Sequence, residues 1–329
     1  MTALAPTLQK WFTHRLTVQR AASPHTVAAY RDTWRLLVDH LNRTTGISPA
    51  QLDLADLDAE TIAGFLTYLE NERGNGVRTR NARLAAIHSF YSYAAYEHPE
   101  HAAVIQRVLA IPAKRHHKAI VTWLTDPELT ALVAAPDTTT WLGRRDRALI
   151  VTAAQTGLRV SELTGLTLDD VALGTNPHVN CVGKGRKERA TPLTPPTVKT
   201  LRSWLDERAG QPTDPAFPTR QGRPLSRDAV AKLLRKHATA AAQHEPSIAA
   251  KTVTPHTLRH TAAMRLLHAG VDIATIALWL GHESIETTGI YLHADMTLKQ
   301  RAIDRTTPIG VKPGRYQPPD TLIAFLEAI

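Results

Sequence analysis

Cysteine is nearly absent: Cys181 stands alone in 329 residues, so there is no disulfide framework and no thiolate metal site. That usage predicts a reducing cytoplasm. No run of about 18 apolar residues occurs, which leaves nothing to span a membrane as a helix. Met1 to Lys10 lack the basic region and apolar core of a secretory signal. Acidic residues number 30 against 39 lysines and arginines, and they form no cluster of the kind that binds Mg²⁺. Histidines number 16, and His256 and His260 have i, i+4 spacing. No glutamate follows His256 as a zincin motif requires, so neither metal nor cofactor is expected. Internal repeats and low-complexity tracts are also missing.

What is present suits two folded domains. The length allows each to bury its own core, and 43% hydrophobic with 21% charged residues is ordinary for a globular chain. The net charge of +9 and pI near 9.8 point to a polyanionic partner without implying sequence specificity.

The first third reads as helices. Leu8 to Arg20 is amphipathic, and Ser23-Pro24 supplies an N-cap with proline in the first turn. A second helix runs from Thr26 to about Asn42, with Tyr30, Trp34, Leu37 and Leu41 on one face. A third begins near Asp58. The turn Gly74-Asn75-Gly76 introduces a fourth, about Val77 to Tyr96, with Arg78, Arg80 and Arg83 at its N-terminal end, where free amides also favour phosphate. Periodicity weakens after Glu97, and the basic stretch ending in Lys114-Arg115-His116-His117-Lys118 reads as a linker. The expected division is a helical domain over 1–111, a linker over 112–120, a second domain over 121–310 and a tail over 311–329.

The second domain opens with a capped helix at Asp126-Pro127-Glu128, followed by one from about Arg144 to Thr156 that ends at Gly157. His178 to Val182 and Glu188 to Leu193 show period two and read as a β-hairpin with Lys184 at its tip. Helices return from Pro196, from Ser226 and from Pro255. The fold class is therefore mainly α with a small antiparallel sheet.

Along this frame stand Arg159, Lys184, His256, Arg259, His282 and Tyr291. Two arginines can grip the non-bridging oxygens of a phosphodiester. A lysine or histidine can move protons, and a tyrosine can become covalently attached. Each residue has a characteristic setting: Thr156-Gly157-Leu158-Arg159-Val160-Ser161-Glu162-Leu163, then Gly183-Lys184-Gly185-Arg186-Lys187-Glu188-Arg189. His256-Thr257-Leu258-Arg259-His260-Thr261 follows, and Leu280-Gly281-His282 lies nine residues before Tyr291. In order, spacing and flanking residues, this set closely resembles the tyrosine recombinases, or phage integrase family, and most of all its Xer-like bacterial members. The resemblance extends from about Ser23 to about Asp304.

The resemblance implies a SAM-like core-binding domain that clamps one face of a duplex, ahead of a catalytic domain. It implies that Tyr291 attacks the scissile phosphate to give a 3′-phosphotyrosyl bond, with strands exchanged through a Holliday junction. Arg159 and Arg259 would clamp the phosphate, with Glu162 orienting Arg159. Lys184 would protonate the leaving 5′-oxygen. His282 would donate to a non-bridging oxygen, and His256 would either bind the phosphate or assist the phenol proton. His260, about 100° around the helix from Arg259, is the weaker candidate. Arg78, Arg80, Arg83, Lys114, Arg115, Arg186, Lys187 and Arg189 would contact backbone phosphates.

The implied partners are double-stranded recombination sites and a tetramer, of this chain alone or with a related recombinase. The role would be integration or transposition of a mobile element, or dimer resolution. Alternatives are a type IB topoisomerase-like enzyme and a catalytically silent DNA-binding accessory protein. In the tail, Leu322, Phe325, Leu326 and Ile329 follow a helical stripe that needs a receptor, on its own domain or on a neighbouring protomer.

Overall fold

The computed structural model describes residues 2–115, 121–183, 188–282, 288–289 and 291. Lys184, Arg186, Lys187, the end of the expected linker and the whole tail lie outside them.

The first helical segment differs from the expected single α-helix. Helix α1 (Leu4–Lys10) passes into a π-helical stretch, Trp11–Gln19, with Arg20 N donating to Arg15 O, five residues back, at 3.1 Å. Packing explains the wider winding. Trp11 and Leu16 are both buried, and in an α-helix residues five apart would point about 140° away from each other. A repeat of i to i+5 brings both to the same side.

Caps then start the helices where short polar residues stand. Ser23 accepts from Thr26 N at 3.2 Å to open α2 (Pro24–Thr45), and Asp58 accepts from Thr61 N at 2.8 Å to open α3 (Ala59–Asn71). Helix α4 (Val77–Glu97) follows Gly76, and a short α5 (Ala102–Leu109) buries Ile105 and Val108 where the sequence shows little periodicity. Their core gathers Trp11, Trp34, Leu37, Phe65, Phe90 and Tyr91, with Trp11 stacked on Tyr30 at 5.6 Å. Each such side chain taken from water contributes roughly 1.5–3 kcal/mol.

These elements form one unit, Met1–Lys118, and the remainder forms a second, Ala119–Ile329. In the second, Thr125 and Glu128 make a capping box at the start of α6 (Asp126–Ala134), with Leu129 and Leu132 buried. Helix α7 (Trp141–Thr156) starts three residues earlier than its apolar pattern suggests, because Thr140 caps it through Gly143 N at 3.0 Å. After α8 (Val160–Gly165), β1 (Val171–Ala172), β2 (His178–Val182) and β3 (Glu188–Pro192) form an antiparallel sheet in that order. Val179 pairs with Thr191 and Cys181 with Arg189, placing Val179 and Cys181 in the core. Strand β1 went unforeseen because two residues cannot show an alternation.

Helices α9 (Pro195–Arg208), α10 (Arg227–Ala241), α11 (Pro255–His268) and α12 (Ile273–Leu280) complete the unit. Asp146 on α7 takes Arg145 at 2.6 Å and His237 of α10 at 2.8 Å, a buried polar tie between those helices. Helix α11 packs on α7 and α12, and this contact builds the site. Among the described residues, no helix is long and apolar enough to cross a membrane.

Candidate active site

Two glycines end two helices, and each turns its carbonyl toward one arginine of a pair. Gly157 ends α7 at φ +64°, and Gly281 ends α12 at φ +65°. Arg259, buried on α11 at 4% exposure, donates to Gly157 O and to Leu280 O, both at 2.6 Å. Its charge therefore lies against the C-terminal ends of two helices, whose free carbonyls favour a cation. Among the described residues no carboxylate pairs with it. Burial and then Arg159 pull Arg259 down to about 10, still far above neutrality. Helix carbonyls thus hold the cation without neutralising it, and its charge stays available for an anion.

Arg159 caps α8 from the other side. Its Nη1 donates to Glu162 Oε1 at 2.8 Å, its backbone amide to Glu162 Oε2 at 2.8 Å, and its Nη2 to Gly281 O at 2.8 Å. Arg159 and Arg259 thus bind successive carbonyls, Gly281 and Leu280, at one helix end. Gly157 is sterically required here. A Cβ on it would sit 2.6 Å from Leu280 Cδ2 and 3.2 Å from Ala262 Cβ.

Glu162 has a second partner. Arg189 of β3 donates to it through Nη1 at 3.1 Å and Nη2 at 2.7 Å. Burial opposes charge on this carboxyl, yet the hydrogen bonds from Arg189 and Arg159 outweigh it and hold Glu162 below the usual range. The sequence suggests Arg189 as a phosphate contact. Instead its guanidinium is largely buried and engaged with Glu162, because the pairing of Cys181 with Arg189 brings β3 beside α8.

The phenol of Tyr291 lies beside α11. Tyr291 is 1% exposed and packs with Met264, Leu267, Ile276 and Leu280. His260 Nδ1 stands 3.0 Å from its hydroxyl, and the ring of His282 lies flat against it, 6.5 Å between centroids. Burial lifts the phenol to about 12 against the pull of Arg259. His282 is pressed down to about 4 by burial and by the arginines, and its Nδ1 meets Thr288 Oγ1 at 2.6 Å. His256 is exposed at the start of α11, its ring 6.4 Å from that of His260.

The structure therefore gathers Arg159, Arg259, His282 and Tyr291, sets His256 at the rim, and adds Glu162–Arg189 and His260. Lys184 lies outside the described residues. His260, the weaker candidate by its angle from Arg259, is the imidazole that meets the Tyr291 hydroxyl, and its i, i+4 spacing from His256 is the sequence signal that marks it.

The phosphate contacts suggested in the first unit divide in the same way. Arg78 and Arg115 are exposed. Lys114 pairs with Glu70 at 2.7 Å, and Arg80 is buried with Nη1 on Pro112 O at 3.0 Å. Arg83 is half-buried, and desolvation then Arg73 lower its proton affinity.

Comparison with known proteins agrees with this architecture. Residues 122–297 match the phage integrase family, and residues 10–98 match the phage integrase N-terminal SAM-like domain. A putative integrase/recombinase of Sinorhizobium fredii is 51% identical over 99% of this chain and 98% of the relative. The tyrosine recombinase XerC of Chlamydia muridarum is 33% identical over 88% and 94%, and the XerD of Listeria monocytogenes 32% over 86% and 92%. Among solved structures, XerH bound to a palindromic difH substrate aligns with TM-score 0.69 at 22% identity, covering 86% of this chain and 80% of XerH. The Tn1549 transposon integrase with circular-intermediate DNA aligns with TM-score 0.69 at 17% identity, covering 93% and 100%. Both share the fold. The chain belongs to the phage integrase family, with a SAM-like domain ahead of the catalytic one. It is a tyrosine recombinase, an enzyme that breaks and rejoins DNA strands.

Proposed function

We propose that the chain is a site-specific recombinase in which Tyr291 attacks the scissile phosphate and Arg159 and Arg259 clamp its non-bridging oxygens. The carrying observation is the anchoring of both guanidiniums on Gly281 O and Leu280 O, one helix turn's end from which the chain runs on to Tyr291. Fixed cations aimed at one place stabilise charge that develops on a phosphorane without reorganising. His256 at the rim and His282 beside the phenol supply donors to the phosphate oxygens. Lys184 protonates the departing 5′-oxygen, because an alkoxide is a poor leaving group near neutrality. The phosphotyrosyl bond conserves the ester's free energy, so a partner strand's 5′-hydroxyl rejoins the DNA without ATP.

The unit Met1–Lys118 grips the duplex, with Arg78, Arg83 and Arg115 among its phosphate contacts, and residues 112–120 join it to the catalytic unit. Four protomers on two sites exchange strands in pairs through a Holliday junction, in the cytoplasm. The role is integration or transposition of a mobile element, or dimer resolution. This reading is supported by relatives described as integrase/recombinase and as XerC and XerD, and by the DNA held in the XerH and Tn1549 structures.

Covalent trapping tests it. A duplex selected by the full-length chain from a random-sequence pool is nicked beside the mapped cleavage position, so that the released fragment diffuses away. The parent chain should give a protein–DNA adduct on denaturing gels. Tyr291→Phe should bind the same duplex with nearly unchanged affinity, since one hydroxyl counts little beside many phosphate contacts, and give no adduct. An adduct from the Phe variant would refute the assignment.

A further inference from the structure

Two imidazoles, those of His260 and His282, lie beside Tyr291, and His260 is the one that meets its hydroxyl. His260 Nδ1 lies 3.0 Å from the phenolic oxygen, with the rings edge to face at 5.6 Å. His282 stacks on the ring but turns its Nδ1 to Thr288 Oγ1. His256 stands one turn before His260 and is exposed. Burial, then His256 and Arg259, press His260 down to about 4, so the ring is uncharged near neutrality. A neutral imidazole carries one donor and one acceptor nitrogen. The phenol, lifted to about 12, keeps its proton and needs an acceptor for it. The tautomer with hydrogen on Nε2 satisfies both groups through Nδ1.

We propose that His260 is the proton acceptor for the tyrosine nucleophile, a catalytic role that rests on the reading of Tyr291 given above. As the bond from the tyrosine oxygen to phosphorus forms and the bond to the 5′-oxygen breaks, the phenolic proton passes to His260 Nδ1. The departing 5′-oxygen takes its proton from Lys184. In rejoining, the 5′-hydroxyl bonds to phosphorus and gives its proton back to Lys184. The phosphotyrosyl bond then breaks, and His260 returns its proton to the tyrosine oxygen.

Without DNA the proton stays on the phenol, because burial favours the neutral form of both Tyr291 and His260. A bound phosphate shifts the balance. Its charge offsets Arg259, one of the groups that depress His260, and partial bonding to phosphorus makes the phenolic oxygen far more acidic. Among the described residues, the titratable and charged groups facing His260 are His256 and Arg259 on its own helix, with Tyr291 and His282 beyond α12. His260 accepts a proton only when neutral. Cleavage should therefore rise with pH through the value that His260 takes in the DNA complex.

The test uses the selected, nicked duplex with sulfur at the 5′-bridging position, so that protonation of the leaving group no longer limits the rate. Single-turnover cleavage by the parent chain should rise with pH through one inflection between about pH 5 and 8. His260→Gln should keep its DNA affinity, lose that inflection and cleave at least about 10²-fold more slowly. Added imidazole should partly restore His260→Ala. His256→Ala should be slower yet keep the inflection. A flat parental profile, an inflection retained by His260→Gln, or one lost with His256 would overturn the proposal. Should the His260 variants fail to fold, the profiles of the parent and of His256→Ala decide it. Adduct formation by Tyr291→Phe would instead sink the underlying reading. Loss of that adduct beside parental speed in His260→Gln would sink this inference alone.

Discussion

Replacing Glu162 by Gln tests how the arginine pair is held. The carboxylate takes two bonds from Arg159 and two from Arg189, and its side chain is 4% exposed. Glutamine keeps the shape but loses the charge, and its amide N–H would face a guanidinium N–H. Removing one partner of a buried pair leaves an uncompensated charge and typically costs 3–5 kcal/mol. The loss here should fall near 3 kcal/mol, because Arg159, 27% exposed, can recruit water. At roughly 2–4 °C per kcal/mol for a unit of this size, the catalytic unit should melt about 6–12 °C lower. Calorimetry at a series of pH values gives a second reading. A carboxyl depressed by folding stabilises fully above its ordinary value of 4.5 and loses that contribution as pH falls through the lower folded value. The melting gap between parent and variant should thus be constant at neutral pH and close in acid. A gap under about 1 °C at pH 7, or one that widens in acid, would refute the account.

Three further outcomes follow from the same geometry. Gly157→Ala should lose about 2–4 kcal/mol, since a left-handed alanine costs about 1–2 and the Leu280 contact adds an overpacking penalty, read by denaturant melts. Adding Leu280→Ala should remove the clash and leave the backbone strain, so a double variant whose losses simply add would contradict this. Lys184→Ala should cleave ordinary DNA about 10²-fold more slowly, and 5′-bridging sulfur should rescue it but not Arg159→Ala. Equal rescue of both would reduce Lys184 to a DNA contact. Tyr291→Phe should also melt slightly lower, by about 0.5–1.5 kcal/mol in stability, for the bond lost to His260. An unchanged melting curve would mean that the hydroxyl and imidazole are not bonded in solution.

Local chemistry was legible in the chain because it acts over a few residues. Ser23, Asp58 and Ser226 start helices through their own side chains, and Gly157 and Gly281 end helices because φ near +65° suits glycine. The hairpin strands show their period, and the motifs around Arg159, His256 and Tyr291 carry the family in linear order. The Arg159–Glu162 pair follows from the three-residue spacing of a helix N-cap and the N3 position behind it.

Tertiary structure alone decided the rest. The π-helical turn exists because Trp11 and Leu16 must enter the same core. Arg189 leaves the surface because strand register sets it beside Glu162, 27 residues away in sequence. Arg259 holds its charge against two helix ends that meet only when α11 packs on α7 and α12. His260 rather than His256 reaches Tyr291 because the phenol packs beside α11 at the level of His260. Contacts between residues 21 to 102 positions apart leave no periodic trace, since only closure of the core brings their charges within reach.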